Sequence, residues 1–127
     1  MNKKLIISLL IIVLTFVAFY FLLKYKPMEK ISKNGDVLSM NYTGRLVDGT
    51  VFDSNVDPKF GHVQPFEFKL GSGMVIKGWD EGLVSMKVGE KKTLTIAPEK
   101  AYGAAGIPPV IPANATLIFD VELTGIK

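Results

Sequence analysis

The residues of this chain with the clearest chemical potential lie in a loop rich in glycine and proline, Tyr102–Pro112. Glycine and proline fix turns in the backbone, and fixed surface loops hold side chains where they can contact ligands. We therefore expect this loop to expose one tyrosine and three branched aliphatic side chains: Tyr102, Ile107, Val110 and Ile111. Such a set predicts a dry pocket that acts by surrounding its substrate rather than by nucleophilic attack.

The sequence offers little to conventional catalysis or to metal binding. The absence of cysteine excludes a thiol nucleophile, a thiolate zinc site and a disulfide framework. His62 is the only histidine, and because no ligands at metal spacing accompany it, we interpret it as a loop residue. Gly71-Ser72-Gly73 resembles part of a dinucleotide-binding loop, but the third glycine of that motif falls on Ile76. We expect neither a metal nor a cofactor.

Aromatic residues elsewhere in the chain could complete the pocket. Taken singly, each is more typical of a hydrophobic core. Two features favour a pocket wall instead: Asp53 places a charge directly after an apolar strand position, and the 102–112 loop supplies apolar side chains that no strand or helix can bury. The candidate wall residues are Tyr42, Phe52, Phe66, Trp79 and Phe119.

The N-terminal segment predicts a membrane-spanning helix. Residues 5–23 carry no charge, and a helix of that length spans roughly 28 Å, close to the hydrocarbon thickness of a bilayer. A cleaved signal peptide usually has an apolar core of about 7–15 residues and small residues at its exit. Here residues 20–26 are bulky and aromatic. We predict an uncleaved anchor over residues 1–27 with basic flanks, with a cleaved signal and an exported domain as the alternative.

The charge of the chain is unevenly distributed. Residues 1–33 have a balance of +5, whereas residues 34–127 have a balance of −2, so the basic pI reflects the flanks of the span and indicates no nucleic-acid partner. The lysines on the two sides of the span nearly balance and lean slightly towards a cytosolic C-terminus. Because a domain of about a hundred residues is translocated largely regardless of its charge, we expect the domain to be extracytoplasmic, with the cytosolic face as the alternative.

Periodic apolar residues after the anchor predict the elements that position the candidate side chains. Residues 38–43, 66–70, 93–96 and 117–124 alternate as strands do, and a turn at Asp48-Gly49 precedes another apolar strand at 51–52. Ile76, Trp79, Leu83 and Met86 have the spacing of a short helix, with Gly89 as its stop. We predict a linker at 28–34 and an α+β domain at 35–127, with four to five antiparallel strands around one short helix.

Several motifs of this domain occur in a recognisable order. They are Asn41-Tyr42-Thr43-Gly44-Arg45-Leu46, Asp48-Gly49-Thr50-Val51-Phe52-Asp53-Ser54, residues 66–82 and 88–92, Ala101-Tyr102-Gly103 and residues 111–123. Together they closely resemble the FK506-binding-protein family of peptidyl-prolyl isomerases, from about Gly35 to Lys127. The resemblance implies a curved antiparallel sheet wrapped over the short helix, with a pocket between the two. It also points to a segment, 54–64, that is longer than in the smallest members and alters which peptides reach the pocket.

The resemblance implies a role for each candidate residue. Asp53 lies at the polar edge of the wall, the backbone N–H of Ile76 holds a substrate carbonyl, and the Tyr102 hydroxyl contacts the ligand. These three are the expected catalytic residues. The expected substrate-binding residues are Trp79 as the floor, with Tyr42, Phe52, Phe66, Val75, Ile107, Val110, Ile111 and Phe119 around it.

The implied activity is rotation about X–Pro peptide bonds, which assists folding of client proteins near the membrane. The implied partners are proline-containing segments, membrane lipid around the N-terminal helix and macrolide inhibitors. Two alternatives remain open at this point. One is a binding module that holds proline-bearing chains in the same pocket without turning them over, and the other is a purely structural anchor protein.

Overall fold

A computed structural model describes residues 1–127 as a five-stranded antiparallel sheet with two α-helices. The sheet and the short helix confirm the predicted α+β class. The helices are α1 (Lys3–Lys24) and α2 (Lys77–Gly82), and the strands are β1 (Val37–Leu46), β2 (Val51–Ser54), β3 (Phe66–Lys69), β4 (Lys91–Ile96) and β5 (Leu117–Ile126).

The sheet is organised around β1 and β5. The strand order is β2-β1-β5-β4, and β3 pairs with β1 as well, so β2 and β3 share one edge of β1. β3 covers residues 37–40 of that edge and β2 covers residues 43–45, which leaves the connecting segment 55–65 to project from the edge between them. Irregularities at Ser39/Met40 and Gly44/Arg45 interrupt the register of β1 and bend the strand.

The core lies on one face of the sheet, as the alternation predicts. Every second residue of β5 from Leu117 to Leu123 is buried, and so are Leu38 and Met40 on β1. Helix α2 packs on this face through Trp79. Gly78 permits the close approach, because a Cβ there would lie 2.5 Å from the side chain of Ile96 on β4.

Helix α2 is shorter than its apolar stripe indicates. It contains six residues, with Ile76 as its N-cap and Leu83 as its C-cap. Met86 is buried but lies beyond the helix, and Ser85 before it has a φ of 66°. A residue in this left-handed region interrupts the helical backbone. The stripe therefore predicted the burial of Trp79, Leu83 and Met86, whereas Ile76 is half-buried. It was wrong about the length of the helix and about Gly89 as its stop.

Helix α1 stands apart from this core. Its 22 residues give a length of about 33 Å, and none of them is buried. Its length and composition fit a membrane anchor, and they fit a signal sequence as well because the helix lies at the N-terminus.

The segment predicted as a linker, 28–34, joins the domain before its end. Ile31 pairs with Lys87, and the buried Ser32 exchanges backbone hydrogen bonds with Ser85 and Met86. The Ser32 hydroxyl also donates to the carbonyl of Leu83 and accepts from the N–H of Met86. Alternation does not reveal this attachment, because it depends on a single buried serine that is held by hydrogen bonds.

We expect Ser32→Ala to lower the free energy of unfolding by about 1–3 kcal/mol, because it leaves two buried backbone groups without their partner. Urea unfolding of the full chain in non-ionic detergent, followed by Trp79 fluorescence, measures the change. Ser72→Ala is the matched control, since the Ser72 hydroxyl donates to the Lys69 carbonyl at an exposed position. Equal effects of the two substitutions would show that Ser32 does not fasten this segment.

Candidate functional site

An apolar cavity of about 310 Å³ opens between the inner face of the sheet and α2. Nine of its ten lining residues are hydrophobic, and Asp53 is the only charged one. Nine of the sequence-predicted site residues line it, together with Met74, which the sequence analysis missed. The lining residues are Tyr42, Phe52, Asp53, Phe66, Met74, Val75, Ile76, Trp79, Tyr102 and Phe119.

Trp79 forms the floor of the cavity. It is only 4% exposed. Its ring centroid lies 5.3 Å from that of Tyr42 on β1 and 5.3 Å from that of Phe119 on β5, with the rings nearly perpendicular in both pairs. Edge-to-face pairs of this kind contribute about 0.5–1.5 kcal/mol each beyond the area they bury. The indole Nε1–H is buried and has no hydrogen-bond acceptor in the protein.

The walls depend on a glycine in β1. Gly44 pairs with Phe119 across the strands, and Phe52 approaches from β2. A Cβ at Gly44 would lie 2.6 Å from the Phe52 ring and 2.7 Å from the Phe119 ring. Because neither ring could stay where it is, the absence of a side chain at residue 44 lets the two rings meet edge to face at 5.5 Å.

A hydrogen-bonded carboxylate forms the polar edge of the cavity. The Tyr42 hydroxyl donates to Asp53 Oδ2 at 2.7 Å, and His62 Nε2 lies 2.7 Å from Asp53 Oδ1. Burial raises the pKa of the Tyr42 hydroxyl, and the hydrogen bond to Asp53 and its charge raise it further. Burial and the charge of Asp53 also raise the pKa of Tyr102. Both tyrosines therefore remain hydrogen-bond donors well into the alkaline range.

The rim before α2 presents a free backbone donor. The N–H of Ile76 makes no hydrogen bond to another backbone group. The turn that precedes it is held in place because the Asp80 carboxylate accepts from the backbone N–H groups of Gly71 and Gly73, at 2.8 and 3.0 Å. A ligand carbonyl at this rim would meet a fixed donor.

The 102–112 loop contributes less to the cavity than its sequence predicts. Tyr102 lines the cavity, whereas Ile107 and Val110 are 43% and 49% exposed and lie outside its lining. The prediction that Ile111 is exposed was wrong, since it is 4% exposed and belongs to the core cluster. Reciprocal 2.8 Å backbone hydrogen bonds between Ile107 and Ile111 close the loop into a tight turn. Ile111 thus supports the loop from beneath.

Two residues of the site escaped the sequence analysis. Met74 carries a usable signal in the sequence, because it is a large apolar residue directly before the candidate rim residues Val75 and Ile76. In the structure its side chain is 65% exposed. His62 carries none. It lies nine residues from Asp53 in a segment without periodicity, so only the fold reveals that the two side chains meet.

A second, larger groove lies on the outer face of the sheet. Its volume is about 460 Å³, but only three of its ten lining residues are hydrophobic. Its floor carries side chains such as Thr93, Asp120 and Glu122. A polar groove of this kind cannot exclude water from an apolar ligand, so the apolar cavity is the candidate site.

Comparison with known proteins agrees with this geometry. A family model described as FKBP-type peptidyl-prolyl cis-trans isomerase matches residues 29–124. The chain is 57% identical over 95 residues to FK506-binding protein 1A of Aspergillus fumigatus, covering 75% of this chain and 81% of that protein. It is 52% identical over 106 residues to FK506-binding protein 2 of Dictyostelium discoideum, with coverage of 82% and 77%. It is 55% identical over 96 residues to peptidyl-prolyl cis-trans isomerase FKBP2 of Homo sapiens, covering 76% of this chain and 65% of that relative.

We expect alkaline pH to destabilise the protein in part through Tyr42. A tyrosine whose pKa is higher in the folded state binds more protons than the unfolded chain above about pH 10, so the free energy of unfolding falls as pH rises there. Tyr42→Phe should make this decline shallower in urea unfolding series at rising pH. Tyr25→Phe, outside the cavity, is the control. An unchanged decline in Tyr42→Phe would contradict the assigned environment of this hydroxyl.

Proposed function

Since this chain belongs to the FKBP-type peptidyl-prolyl cis-trans isomerase family, its activity is isomerisation of X–Pro peptide bonds, and we propose that the cavity floored by Trp79 is where it occurs. One observation carries this assignment. The cavity joins nine hydrophobic residues to a single carboxylate, which suits a proline ring flanked by a polar amide.

A dry aromatic cavity suffices for this reaction. The barrier to rotation is about 18–20 kcal/mol and arises from amide resonance. The planar form is charge-separated, so water stabilises it more than the twisted transition state. A cavity that removes water from the amide reverses part of that preference and lowers the barrier. Each tenfold gain in rate requires only about 1.4 kcal/mol of such differential stabilisation.

The polar groups around the cavity have separate roles in the proposal. The Ile76 N–H holds a substrate carbonyl, which fixes one side of the rotating bond. The Tyr102 hydroxyl contacts the ligand from the opposite loop, and Asp53 provides the polar edge against which the twisted amide lies. The free Ile76 donor and the raised pKa of Tyr102 support these roles.

Members of this family bind proline-containing peptides and FK506-type ligands. For this chain we propose proline-bearing segments of client proteins as substrates and macrolides as inhibitors. Uncatalysed isomerisation takes tens to hundreds of seconds and limits the folding of some proteins. An isomerase therefore accelerates the folding of client proteins in which a proline bond has the non-native isomer.

We propose that the isomerase works close to a membrane in which α1 is anchored. No residue of α1 is buried by the domain. The first residue after α1 that pairs with the backbone of the domain is Ile31, opposite Lys87, so residues 25–30 form the tether. Six residues reach at most about 22 Å, which keeps the domain close to the bilayer. The domain lies on the extracytoplasmic side in this proposal, where secreted clients fold.

We expect Trp79→Leu to lower kcat/KM for an X–Pro peptide by about tenfold or more, because the floor of the cavity is lost. Exchange spectroscopy on the peptide with full chain in non-ionic detergent measures the rate. Phe60→Leu is the matched control, since Phe60 is an aromatic residue outside the cavity lining. Circular dichroism verifies that both variants are folded. Full activity of a folded Trp79→Leu variant would contradict the site, and peptide binding without catalysis in the wild type would favour a holding module.

The absence of cysteine allows a sharp test of topology. A single cysteine is introduced by Ser72→Cys in the domain or by Asn2→Cys before the span, and intact cells are treated with a membrane-impermeant maleimide. We expect the Ser72→Cys protein to be labelled in intact cells and to stay in the membrane pellet, and the Asn2→Cys protein to be labelled only after lysis. The reverse labelling would place the domain in the cytosol, and a soluble labelled domain would indicate a cleaved signal.

A further inference from the structure

His62 reaches the edge of the cavity from the segment 55–65, although it does not line the cavity. The carboxylate of Asp53 is held at both oxygens: Oδ2 accepts from the Tyr42 hydroxyl, and Oδ1 accepts from the Ser54 N–H and lies beside His62 Nε2. The imidazole also packs near the Tyr42 ring, with centroids 6.5 Å apart. The only histidine of the chain is therefore paired with the only charged residue of the cavity.

The segment that carries His62 is firmly attached at both ends. The buried Asn55 side chain donates to the carbonyls of Met40 and Gln64, each at 2.9 Å, and accepts from the N–H of Tyr42 at 2.7 Å. Asp57 caps a short 3₁₀ turn by accepting from the N–H of Lys59. These hydrogen bonds give the loop a defined conformation in which His62 lies beside Asp53.

Asp53 is the only titratable group that forms a hydrogen bond or an ion pair with His62. Asp57 and Lys59 belong to its own segment, where Asp57 bonds the backbone and the Lys59 ammonium lies 5.4 Å from the centroid of the Phe60 ring. Two residues of the adjoining strands lie next to His62: Asp53 on β2 and Tyr42, whose hydroxyl is neutral, on β1. Across the cavity stands the neutral hydroxyl of Tyr102.

We propose that His62 is a positioning residue that fixes the Asp53 carboxylate and sets the charge with which this edge selects substrates. The inference rests on the proposed function. With His62 neutral, the edge carries the full negative charge of Asp53 and favours clients that have a lysine or arginine beside the X–Pro bond. With His62 protonated, the pair is electrically neutral and the preference disappears.

The selectivity follows from the arrangement of charges at the edge. Imidazole groups change charge between about pH 5 and 8, and the 2.7 Å contact makes His62 the nearest compensating charge for Asp53. The ion pair is partly exposed, so solvent screens it. A discrimination of about three- to tenfold between a cationic and an anionic peptide corresponds to a partly screened Coulomb interaction across a few ångströms.

Three peptide sets that differ at one residue beside the X–Pro dipeptide test the proposal, with lysine, glutamine or glutamate placed either before X or after proline. The full chain in non-ionic detergent is assayed at about pH 5.5 and about pH 8, where the glutamate peptide stays ionised. At the higher pH we expect kcat/KM for the lysine peptide to exceed that for the glutamate peptide by about three- to tenfold at one of the two positions. The difference should lie in KM, because the charge of Asp53 acts on substrate binding. At the lower pH the ratio should approach one.

Two substitutions bracket the wild type. His62→Gln keeps a neutral donor beside Asp53, so the ratio should stay high at both pH values. His62→Arg keeps a permanent positive charge, so the ratio should stay near one at both. A merely structural role of His62 would change the rate of all peptides alike and would leave the wild-type ratio constant.

Each outcome decides the question. A wild-type ratio that does not change with pH overturns the proposal, even if the variants prove unstable. A change that persists in His62→Gln also overturns it. The glutamine peptide reports the isomerase activity by itself. If that peptide is turned over while the ratio is constant, the inference about His62 fails and the proposed function stands; if it is not turned over, the proposed function fails.

Discussion

The edge-to-face contacts of Trp79 with Tyr42 and Phe119 are the interaction on which the rest of the structure depends. Helix α2 has only six residues, and isolated helices shorter than about 12–15 residues are marginal in water. It therefore exists because its tryptophan is buried against the sheet. The rings that bury it belong to β1 and β5, the central pair of strands. The floor of the cavity and the packing of the helix are thus one set of contacts.

Because the same contacts form the cavity and hold the helix, two positions beside them have no room for a side chain. Gly44 lets two aromatic rings meet over β1, and Gly78 lets α2 approach β4. Both glycines remove bulk beside a cavity residue rather than supply an unusual backbone angle. The cavity remains open because the rings pack against one another at perpendicular angles, which leaves a concave surface that no protein side chain fills. The only charge enters at the edge, through the Asp53 carboxylate, which is held by the Tyr42 hydroxyl, the Ser54 N–H and His62.

The alternation of apolar and polar residues predicts the strands, and residue type predicts most of the cavity lining. Alternation identified the strands and their buried faces, and nine of the twelve candidate site residues line one cavity. The sequence does not predict the position of a residue that depends on a single contact with a distant part of the chain. Ile111 is buried because its loop closes by backbone hydrogen bonds, and Ser32 joins the domain through hydrogen bonds to residues more than fifty positions away. His62 meets Asp53 only because β2 and β3 share an edge of β1.

The central claim is that a proline ring occupies the aromatic hollow above Trp79 while its amide bond turns. Intermolecular nuclear Overhauser effects between an X–Pro peptide and the full chain test it most directly. We expect the prolyl ring protons to contact the indole of Trp79 and the ring of Phe119 in the complex that undergoes exchange. Contacts confined to the outer face of the sheet, with exchange still accelerated, would contradict the account.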